Sequence, residues 1–332
     1  MTNNDTVDIK DLGMSEEELF AHYDNNLYES ERVTAPRYSY WKSVFRIFFK
    51  KKINIIILLF LALIIVFAYI YPVVTGYAAN PEVAYNQNAY DNTSRHLLPT
   101  DAIQRFGFSL SWILGTGDVG QPTFDALWYG SSISISLAFM CAAINMVIGI
   151  VLGAIWGFSK KVDIIMMEVF NIVGNIPYIL IISVFIQILS PSFWTLVFAM
   201  TVTGWLGVAF FIRTQVVVIR DREYNLASRC LGTPILRLTM KNILPFMTSV
   251  IVTLAATEIP SYISYEVYLS YIGIGISDMT LGKIIEQTQS FMAVPQWGFE
   301  YWSPIIISSI ITVILYVVGQ NLGDASDPKT HM

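Results

Sequence analysis

Residues 53–71 read INIIILLFLALIIVFAYIY and contain no charged side chain. A helix that crosses the hydrocarbon core of a bilayer needs about 20 mostly apolar residues. This run therefore predicts a transmembrane helix and an integral membrane protein. The preceding residues 1–20 are acidic and polar, unlike the basic start and apolar core of a cleaved signal peptide. We expect the helix at 53–71 to stay in the mature chain.

Five further apolar stretches have the length of a membrane span: 131–158, 165–189, 193–218, 246–271 and 304–322. Charged residues make up 14% of the chain and hydrophobic residues 54%, whereas a soluble domain has about 25% charged residues. The sequence thus predicts an all-α integral membrane protein with about six transmembrane helices. The net charge of −5 argues against nucleic-acid binding. The two cysteines, Cys141 and Cys230, predict neither a disulfide nor a metal site.

Lys and Arg are shared unevenly between the two sides of the membrane that these spans imply. The loops after the first, third and fifth spans contain only Arg95, Arg105 and Lys283, and the other seventeen of the 20 basic residues lie elsewhere. Basic residues accumulate on the cytoplasmic side, so this bias predicts that both termini are cytoplasmic. Six spans is an even number, which places both termini on the same side and so agrees with this prediction.

The spans divide the chain into five predicted regions. These are a disordered cytoplasmic tail at 1–36, an interfacial helix with the first transmembrane helix at 37–72, an extracellular loop at 73–126, a five-helix core at 127–323 and a cytoplasmic tail at 324–332. Residues 37–52 (RYSYWKSVFRIFFKKK) mix aromatic and basic side chains. This suits a helix lying on anionic lipid headgroups, or simply the charged flank of a span.

Two patterns inside the spans predict local packing. Gly149, Gly153 and Gly157 recur every four residues, which lets a second helix approach closely. The stretch NIVGNIP at 171–177 places two Asn and a Pro within the third span, and the proline predicts a kink. Packing inside the bundle explains both patterns without a transport role.

Between the fourth and fifth spans, residues 220–245 read RDREYNLASRCLGTPILRLTMKNILP. Residues 224–230 favour a short helix that Gly232 ends, because glycine readily adopts the left-handed conformation of a helix stop. Thr233 is placed to cap a following helix with Pro234 in its first turn. The predicted apolar face of that helix consists of Ile235, Leu236, Leu238 and Met240. The pattern fits a docking site for another protein, or an ordinary connecting loop.

This segment resembles the cytoplasmic coupling motif of ABC importer permeases, in which E-A-A is followed by three residues, a glycine and a second helix ending in Leu-Pro. Leu226-Ala227-Ser228 stands at the E-A-A positions, and Gly232 stands at the glycine. Leu226 and Ser228 depart from the motif, which puts a salt bridge from position 226 in doubt. The resemblance assigns coupling to the ATPase to eight residues: Glu223, Tyr224, Ala227, Ser228, Gly232, Thr233, Leu244 and Pro245.

Further motifs extend the resemblance over most of residues 37–328, and it is closest to the second permease subunit, the C subunit, of oligopeptide and dipeptide importers. The matching stretches are LGTGDVG at 114–120, YGSSIS at 129–134, TGW at 203–205, EVYLSYIGIG at 266–275, NLGD at 321–324 and Asp327-Pro328. Gly117 stands where the first motif usually has aspartate, and the tail between 324 and 327 is shorter than usual.

The resemblance implies the ABC type I importer permease fold, with cytoplasmic coupling helices, in a bacterial cell membrane. It also implies a second permease subunit, two cytoplasmic ATPases that bind ATP and Mg, and an external peptide-binding lipoprotein. This chain has no G-x-x-x-x-G-K-[ST] phosphate loop, so we expect no cofactor in it and no enzyme activity of its own. Its expected role is to form half of a peptide translocation path and to couple that path to ATP hydrolysis.

Two carboxylates fall inside the fifth predicted span, where a charge is costly and usually functional. Glu266 lies near the outer end, and both Glu266 and Ser270 are candidates for the translocation path. The alternative for Glu266 is a structural hydrogen bond to a neighbouring helix. Glu258, near mid-depth, is also a path candidate, and with Pro260 it predicts a local break in the helix.

Other functions remain open at this point. A permease for nickel or another small solute would share the same motifs. A secondary transporter would show an internal repeat with paired broken helices, and we see no such symmetry. A membrane enzyme would need a catalytic cluster, whereas His22, His96 and His331 are scattered outside the spans.

Overall fold

The computed structural model describes residues 40–77, 92–294 and 296–327. The chain divides into two units, residues 1–40 and 41–332, and the described residues from 41 onward belong to the second. The predicted tail at 1–36, residues 78–91 of the predicted loop and the end of the chain from 328 lie outside the described residues.

The described residues form helices joined by short loops. In chain order they are α1 Tyr40–Lys50, α2 Lys52–Val74, α3 Pro99–Phe106, α4 Thr123–Phe158, α5 Lys160–Gly174, α6 Tyr178–Ile188, α7 Phe193–Arg220, α8 Glu223–Cys230, α9 Ile235–Leu238, α10 Leu244–Phe246, α11 Thr248–Tyr271, α12 Leu281–Thr288 and α13 Gly298–Ser326. A π-helical turn, Thr239–Ile243, joins α9 to α10. The predicted all-α fold is confirmed for this part of the chain.

Helices α2, α4, α7 and α13 are each long and apolar enough to cross a membrane. Two bent pairs of helices reach that length together. One pair is α5 with α6, with a bend of 76°, and the other is the π-helical turn plus α10, Thr239–Phe246, with α11, with a bend of 65°. Counting each bent pair as one span gives six among the described residues, in agreement with the predicted number. The chain is therefore a multi-pass membrane protein.

Helices α4 and α13 extend well beyond the predicted spans, and their added turns include buried polar residues. α4 begins at Thr123 rather than at 131, and its Asp125 is buried and accepts a hydrogen bond from Tyr71 at 2.8 Å. α13 begins at Gly298 rather than at 304, and its far end reaches Ser326. The first three residues of the predicted tail at 324–332 are thus helical.

The predicted kink at 171–177 is confirmed, and it is a full break. α5 ends at Gly174, α6 begins at Tyr178, and Pro177 precedes α6. A proline has no backbone N–H to donate, so it interrupts the helical hydrogen bonds. The chain turns by 76° at this point.

The break predicted near Glu258 and Pro260 is wrong, because α11 continues through both residues. The Ser261 hydroxyl donates to the Thr257 carbonyl at 2.8 Å, and α13 packs closely against Ala256 one turn before the proline. Neighbouring helices and hydroxyl side chains commonly let a spanning helix tolerate proline. The observed break lies earlier, at Met247, where α10 meets α11.

The close helix packing predicted for the glycine stripe of α4 is confirmed, and the helix that packs there is α7. A Cβ atom on Gly149 would lie 2.5 Å from Val208 Cβ, and one on Gly153 would lie 2.5 Å from the Ala209 carbonyl oxygen. Real Cβ atoms do not approach so closely, so only glycine fits at this spacing. The two long helices therefore form the centre of the bundle.

Helix contacts fix which helix ends share a membrane face. Gly157, at the end of α4, lies against Val216 near the end of α7. Gly323, near the end of α13, lies against Thr253 near the start of α11. The segment from α8 to α10 is therefore on one face. The segment 92–122 before α4, the helix α12 and the start of α13 are on the opposite face.

Candidate functional site

A glycine-stopped helix begins the candidate coupling segment. α8 spans Glu223–Cys230, and Gly232, two residues after its last residue, has a φ of +79°. The Gly232 N–H donates to the Arg229 carbonyl at 2.9 Å, and the Thr233 N–H donates to the Ser228 carbonyl at 3.1 Å. These two bonds satisfy the last carbonyls of the helix and need a left-handed residue between them. The predicted helix stop at Gly232 is confirmed.

The predicted cap on the next helix is wrong by one position. α9 begins at Ile235, and the Leu238 N–H donates to the carbonyl of Pro234. Pro234 is thus the residue before the helix rather than part of its first turn. Thr233 lies one residue too early to cap α9, because Pro234 is the residue directly before that helix.

Two asparagines that the sequence reasoning missed attach α8 to the bundle. Asn225 is fully buried, and its Nδ2 donates to the Ile219 carbonyl at 2.9 Å, near the end of α7. Its Oδ1 faces Asn242 Nδ2 at 3.4 Å. The Arg222 guanidinium lies 4.8 Å from the ring centre of Phe246 in α10. These contacts link α8 to the elements on both sides of it.

The apolar residues of the segment divide between two faces, which corrects the single face predicted from sequence. Leu238 is fully buried and packs in a cluster with Ile243, Met247 and residues of α4 and α7. Ile235 and Met240 are exposed instead. Since the Leu238 face is used to hold the segment on the bundle, only the other face is open to a partner.

That outer face carries apolar side chains among basic ones. Its exposed large apolar residues are Tyr224, Leu226, Leu231, Ile235, Met240 and Phe246, and its exposed charged residues include Glu223, Arg237 and Lys241. Leu231, next to the glycine, is 87% exposed. Of the other predicted coupling residues, Ala227 and Pro245 are exposed, and Ser228 and Leu244 are half-buried. Exposed apolar patches with polar rims mark interaction sites.

Glu266, the first path candidate, joins three helices at the opposite membrane face. Ser134 of α4 donates to its Oε2 at 2.8 Å, and Ser270 donates to its Oε1 at 3.0 Å. The Thr280 side chain and the Gly282 backbone, at the start of α12, also hydrogen-bond to this carboxyl group. The start of a helix has free N–H groups that favour a carboxylate. Both Glu266 and Ser270 are fully buried, so these contacts favour the structural alternative.

Glu258, the second candidate, borders a polar cluster inside the bundle. It hydrogen-bonds to Tyr262, and the Tyr262 hydroxyl bonds to Asn145 of α4. A Cβ atom on Gly204 would lie 2.7 Å from Asn145 Nδ2, so the glycine of the TGW stretch makes room for this pair. Asn145 within the apolar run of the second span was the sequence signal for this cluster.

Beside these residues, α11 presents hydroxyl groups on its exposed face. Ser261, Ser264, Tyr265, Tyr268 and Tyr271 are all exposed. A cavity of about 490 Å³ opens between α11 and α13, and its lining contains no charged side chain. It is lined by Tyr268, Tyr271, Tyr301 and four Ser and Thr residues, together with aliphatic side chains. The face can accept a neutral, partly polar neighbour.

Two family models match this chain. Residues 148–332 match the binding-protein-dependent transport system inner membrane component, and residues 39–99 match the N-terminal TM domain of oligopeptide transport permease C. The first match covers more than half of the chain. The chain therefore belongs to the family of binding-protein-dependent transport inner-membrane components, on its oligopeptide permease C branch.

Two sequence relatives agree with this assignment. The chain is 42% identical to the oligopeptide transport system permease protein AmiD of Streptococcus pneumoniae, over 95% of this chain and 98% of that one. It is 30% identical to the oligopeptide permease protein OppC of Bacillus subtilis, over 92% and 94%. The chain also matches a solved structure of the MetNI methionine ABC transporter in inward-facing conformations. The match covers 62% of this chain and 98% of that chain, at 18% identity and a TM-score of 0.48.

Proposed function

We propose that this chain is a transmembrane permease subunit of an ATP-driven importer of oligopeptides or dipeptides. The observation that carries the proposal is the nearly end-to-end match to an oligopeptide permease at 42% identity. The exposed outer face of α8 to α10 adds a geometric reason, because a permease needs a cytoplasmic surface for its ATPase. In this proposal the chain adopts the ABC type I importer fold and forms half of the path.

The proposed partners follow from this role. They are a second permease subunit, two cytoplasmic ATPases and an external peptide-binding lipoprotein. ATP and Mg are bound by the ATPases and not by this chain. Both termini and the coupling segment lie in the cytoplasm of a bacterial cell, and the segment 92–122 before α4 faces the outside.

The coupling segment acts as a lever in this proposal. Tyr224 and Leu231 insert into a cleft of one ATPase, and the movement that follows ATP binding is passed on through Asn225 to α7. On the other side, Arg222 and Phe246 transmit it to the bend at Met247 before α11. A switch of this kind requires that the ATPase contact the two transporter states differently.

The translocation path runs along the exposed face of α11 in this proposal. Glu258 and the hydroxyl residues of that face line it, together with the facing subunit. Glu266 and Ser270 support the path from behind by holding α12 on α4 and α11. Peptide backbones need hydrogen-bonding neighbours, which hydroxyl groups provide without a fixed charge.

α1 lies on the cytoplasmic membrane surface in this proposal. Trp41, Phe45 and Phe49 are exposed along one side, and successive rings are 6.4 Å apart. Lys42, Arg46 and Lys50 are exposed beside them. Aromatic side chains in the interface with basic ones near anionic headgroups are the pattern of a surface-bound helix.

Substitution of Gly232 by valine tests the lever. Valine strongly disfavours positive φ, so the stop between α8 and α9 is lost. We expect ATP-dependent peptide uptake in vesicles to fall below detection while the chain still inserts in the membrane. Uptake at the wild-type rate would contradict the lever.

Gly76→Val is the matched control for this substitution. Gly76 has a φ of +76°, and Gly232 one of +79°; a Cβ atom meets nothing within 4 Å at either residue. The two substitutions thus impose similar backbone strain, at the end of α2 in one case and in the coupling segment in the other. We expect Gly76→Val to retain most of the uptake.

A further inference from the structure

An ionisable cluster that the proposed function does not use joins the segment 92–98 to the start of α13. His96 Nδ1 lies 2.9 Å from Glu300 Oε1, and His96 Nε2 lies 3.4 Å from Asp118 Oδ1. A neutral imidazole has one N–H donor, whereas an imidazolium has two. Ionised carboxylates only accept hydrogen bonds. A carboxylate at each ring nitrogen therefore suits the doubly protonated ring.

Aromatic rings around His96 favour the same charge state. The Trp297 ring stacks on the imidazole with centroids 4.6 Å apart and an angle of 26° between the planes. Phe291 approaches it edge-on, also at 4.6 Å. A cation over an aromatic face is stabilised, more so where water is excluded. The His96 side chain is only 14% exposed.

The backbone at His96 is held in an unusual conformation. Its φ is +51°, and among the described residues it is the one non-glycine residue with positive φ. Its N–H donates to the Gly117 carbonyl at 3.3 Å, and the next N–H, of Leu97, donates to Thr116 Oγ1 at 2.8 Å. Such a conformation persists where the surroundings over-determine it, and it is concentrated at functional sites.

The charged groups around the ring are few. Glu300 faces it from α13 and Asp118 from the turn before α4, while Lys283 and Glu286 of α12 pair with each other at 2.6 Å. On its own segment, Arg95 precedes it in sequence. The hydrogen bond to Glu300 raises the pKa of His96; burial opposes this, and the two carboxylate charges reinforce it.

We propose that His96 is a proton-operated clamp that locks the segment 92–98 and the turn at Asp118 onto the start of α13. The clamp closes when the ring is protonated and loosens when it is neutral. It lies on the membrane face opposite the coupling segment, so the pH on that side sets its state. The inference holds for any transported solute.

The sign of the pH effect follows from linkage. The folded chain binds the His96 proton more tightly than the unfolded chain does. The stabilisation by the clamp is therefore complete below the unfolded pKa of about 6.5, and it is lost as the pH rises through the higher folded value.

Hydrogen–deuterium exchange of peptides covering 92–98, in the complete purified transporter, tests the clamp. The wild type and His96→Gln are compared at each pH from about 5 to about 9, which brackets the histidine pKa. Their ratio cancels the pH dependence of the exchange chemistry. We expect several-fold faster exchange in His96→Gln at the acidic end and a much smaller difference at the alkaline end, where the neutral ring keeps only one N–H donor. A ratio that does not change with pH would overturn the proposal.

Asp118→Asn gives an independent result if His96→Gln fails to fold. Asp118 is 51% exposed, so the substitution leaves a buried pair, His96 and Glu300, in place. Removing one carboxylate lowers the affinity of the ring for its proton. We therefore expect the pH at which the segment 92–98 loses its protection from exchange to be lower in Asp118→Asn than in the wild type. Asp101→Asn, on α3, is the control and should leave that pH unchanged. A transition that stays in place in Asp118→Asn would exclude the clamp.

Discussion

Helices α2 and α11 both cross the membrane, yet they expose opposite kinds of side chain. The exposed large residues of α2 are nearly all aliphatic or phenylalanine: Ile53, Ile55, Ile56, Leu59, Phe60, Leu63, Ile65, Val66, Tyr69, Ile70, Val73 and Val74. In α11, the exposed residues of the half that leads away from the coupling segment are serines and tyrosines. Lipid tails offer no hydrogen bonds. The α2 face therefore suits lipid, and the α11 face suits protein or water.

The comparison explains why hydropathy alone identifies α2 but not the role of α11. A helix surrounded by lipid must be apolar on its outer side, and this is visible in any sequence window. A helix that lines a path or a subunit contact is apolar on its buried side and mixed on the other. In α11 the buried side itself contains a carboxylate, Glu266, which further weakens the apolar signal.

The largest expected effect comes from placing a lysine on the exposed face of α2 and, separately, on that of α11. Lys in place of Leu63, in the middle of α2, costs about 2.5–3.5 kcal/mol of insertion free energy. We expect Leu63→Lys to lower the equilibrium constant for insertion of this helix by about 100-fold, and protease protection measures the inserted fraction. Ser264→Lys should insert nearly as well as the wild type, because its neighbour is not lipid, but should abolish uptake. Equal insertion of the two variants would show that the faces do not differ.

Removal of Glu266 tests the buried side of α11. Glu266→Ala leaves the hydroxyls of Ser134 and Ser270 and the start of α12 without their acceptor. Buried groups left unpaired cost about 1–3 kcal/mol each, so we expect a clearly lower Tm of the detergent-purified transporter. Glu266→Gln, which keeps one acceptor oxygen, should recover part of the loss. Full stability with lost uptake in Glu266→Ala would assign Glu266 to the path instead.

The smallest effect is expected at α1, which exposes aromatic side chains as α2 exposes apolar ones but has basic residues beside them. One basic residue near an anionic surface contributes about 1 kcal/mol. In Arg46→Gln, a spin label at position 45 should therefore move toward water in vesicles that contain anionic lipid, and stay at its depth in zwitterionic vesicles. A label that responds equally in both lipids would make α1 a plain flank of the first span.

Several features were predictable because their cause is local in sequence. The six spans follow from apolar length, and the stop at Gly232 follows from the backbone conformation that glycine permits. The glycine spacing of α4 predicted that another helix packs closely against it, and the structure shows that this helix is α7. The break at Pro177 follows from a missing N–H group.

Other features depend on contacts between distant residues, and the sequence did not reveal them. Asp125, in the first turn of α4, accepts a hydrogen bond from Tyr71, and Leu238 is buried against residues of α4 and α7. Asn225 gives no local signal, yet it ties α8 to α7. The sequence also placed the break of the fifth span at Pro260, where the packing of α13 helps to keep the helix intact, instead of at Met247.

The native thiol of Cys230 allows the most direct test of the coupling role. The chain has two cysteines, of which Cys141 is buried and Cys230, at the end of α8, is exposed. A photoactivatable maleimide attached to Cys230 in native membranes, followed by mass spectrometry, identifies the protein that contacts α8. We predict a crosslink to a cytoplasmic ATPase that is absent in Cys230→Ser. Crosslinks only to lipid, or to proteins without an ATP-binding domain, would contradict the proposal that this chain couples ATP hydrolysis to transport.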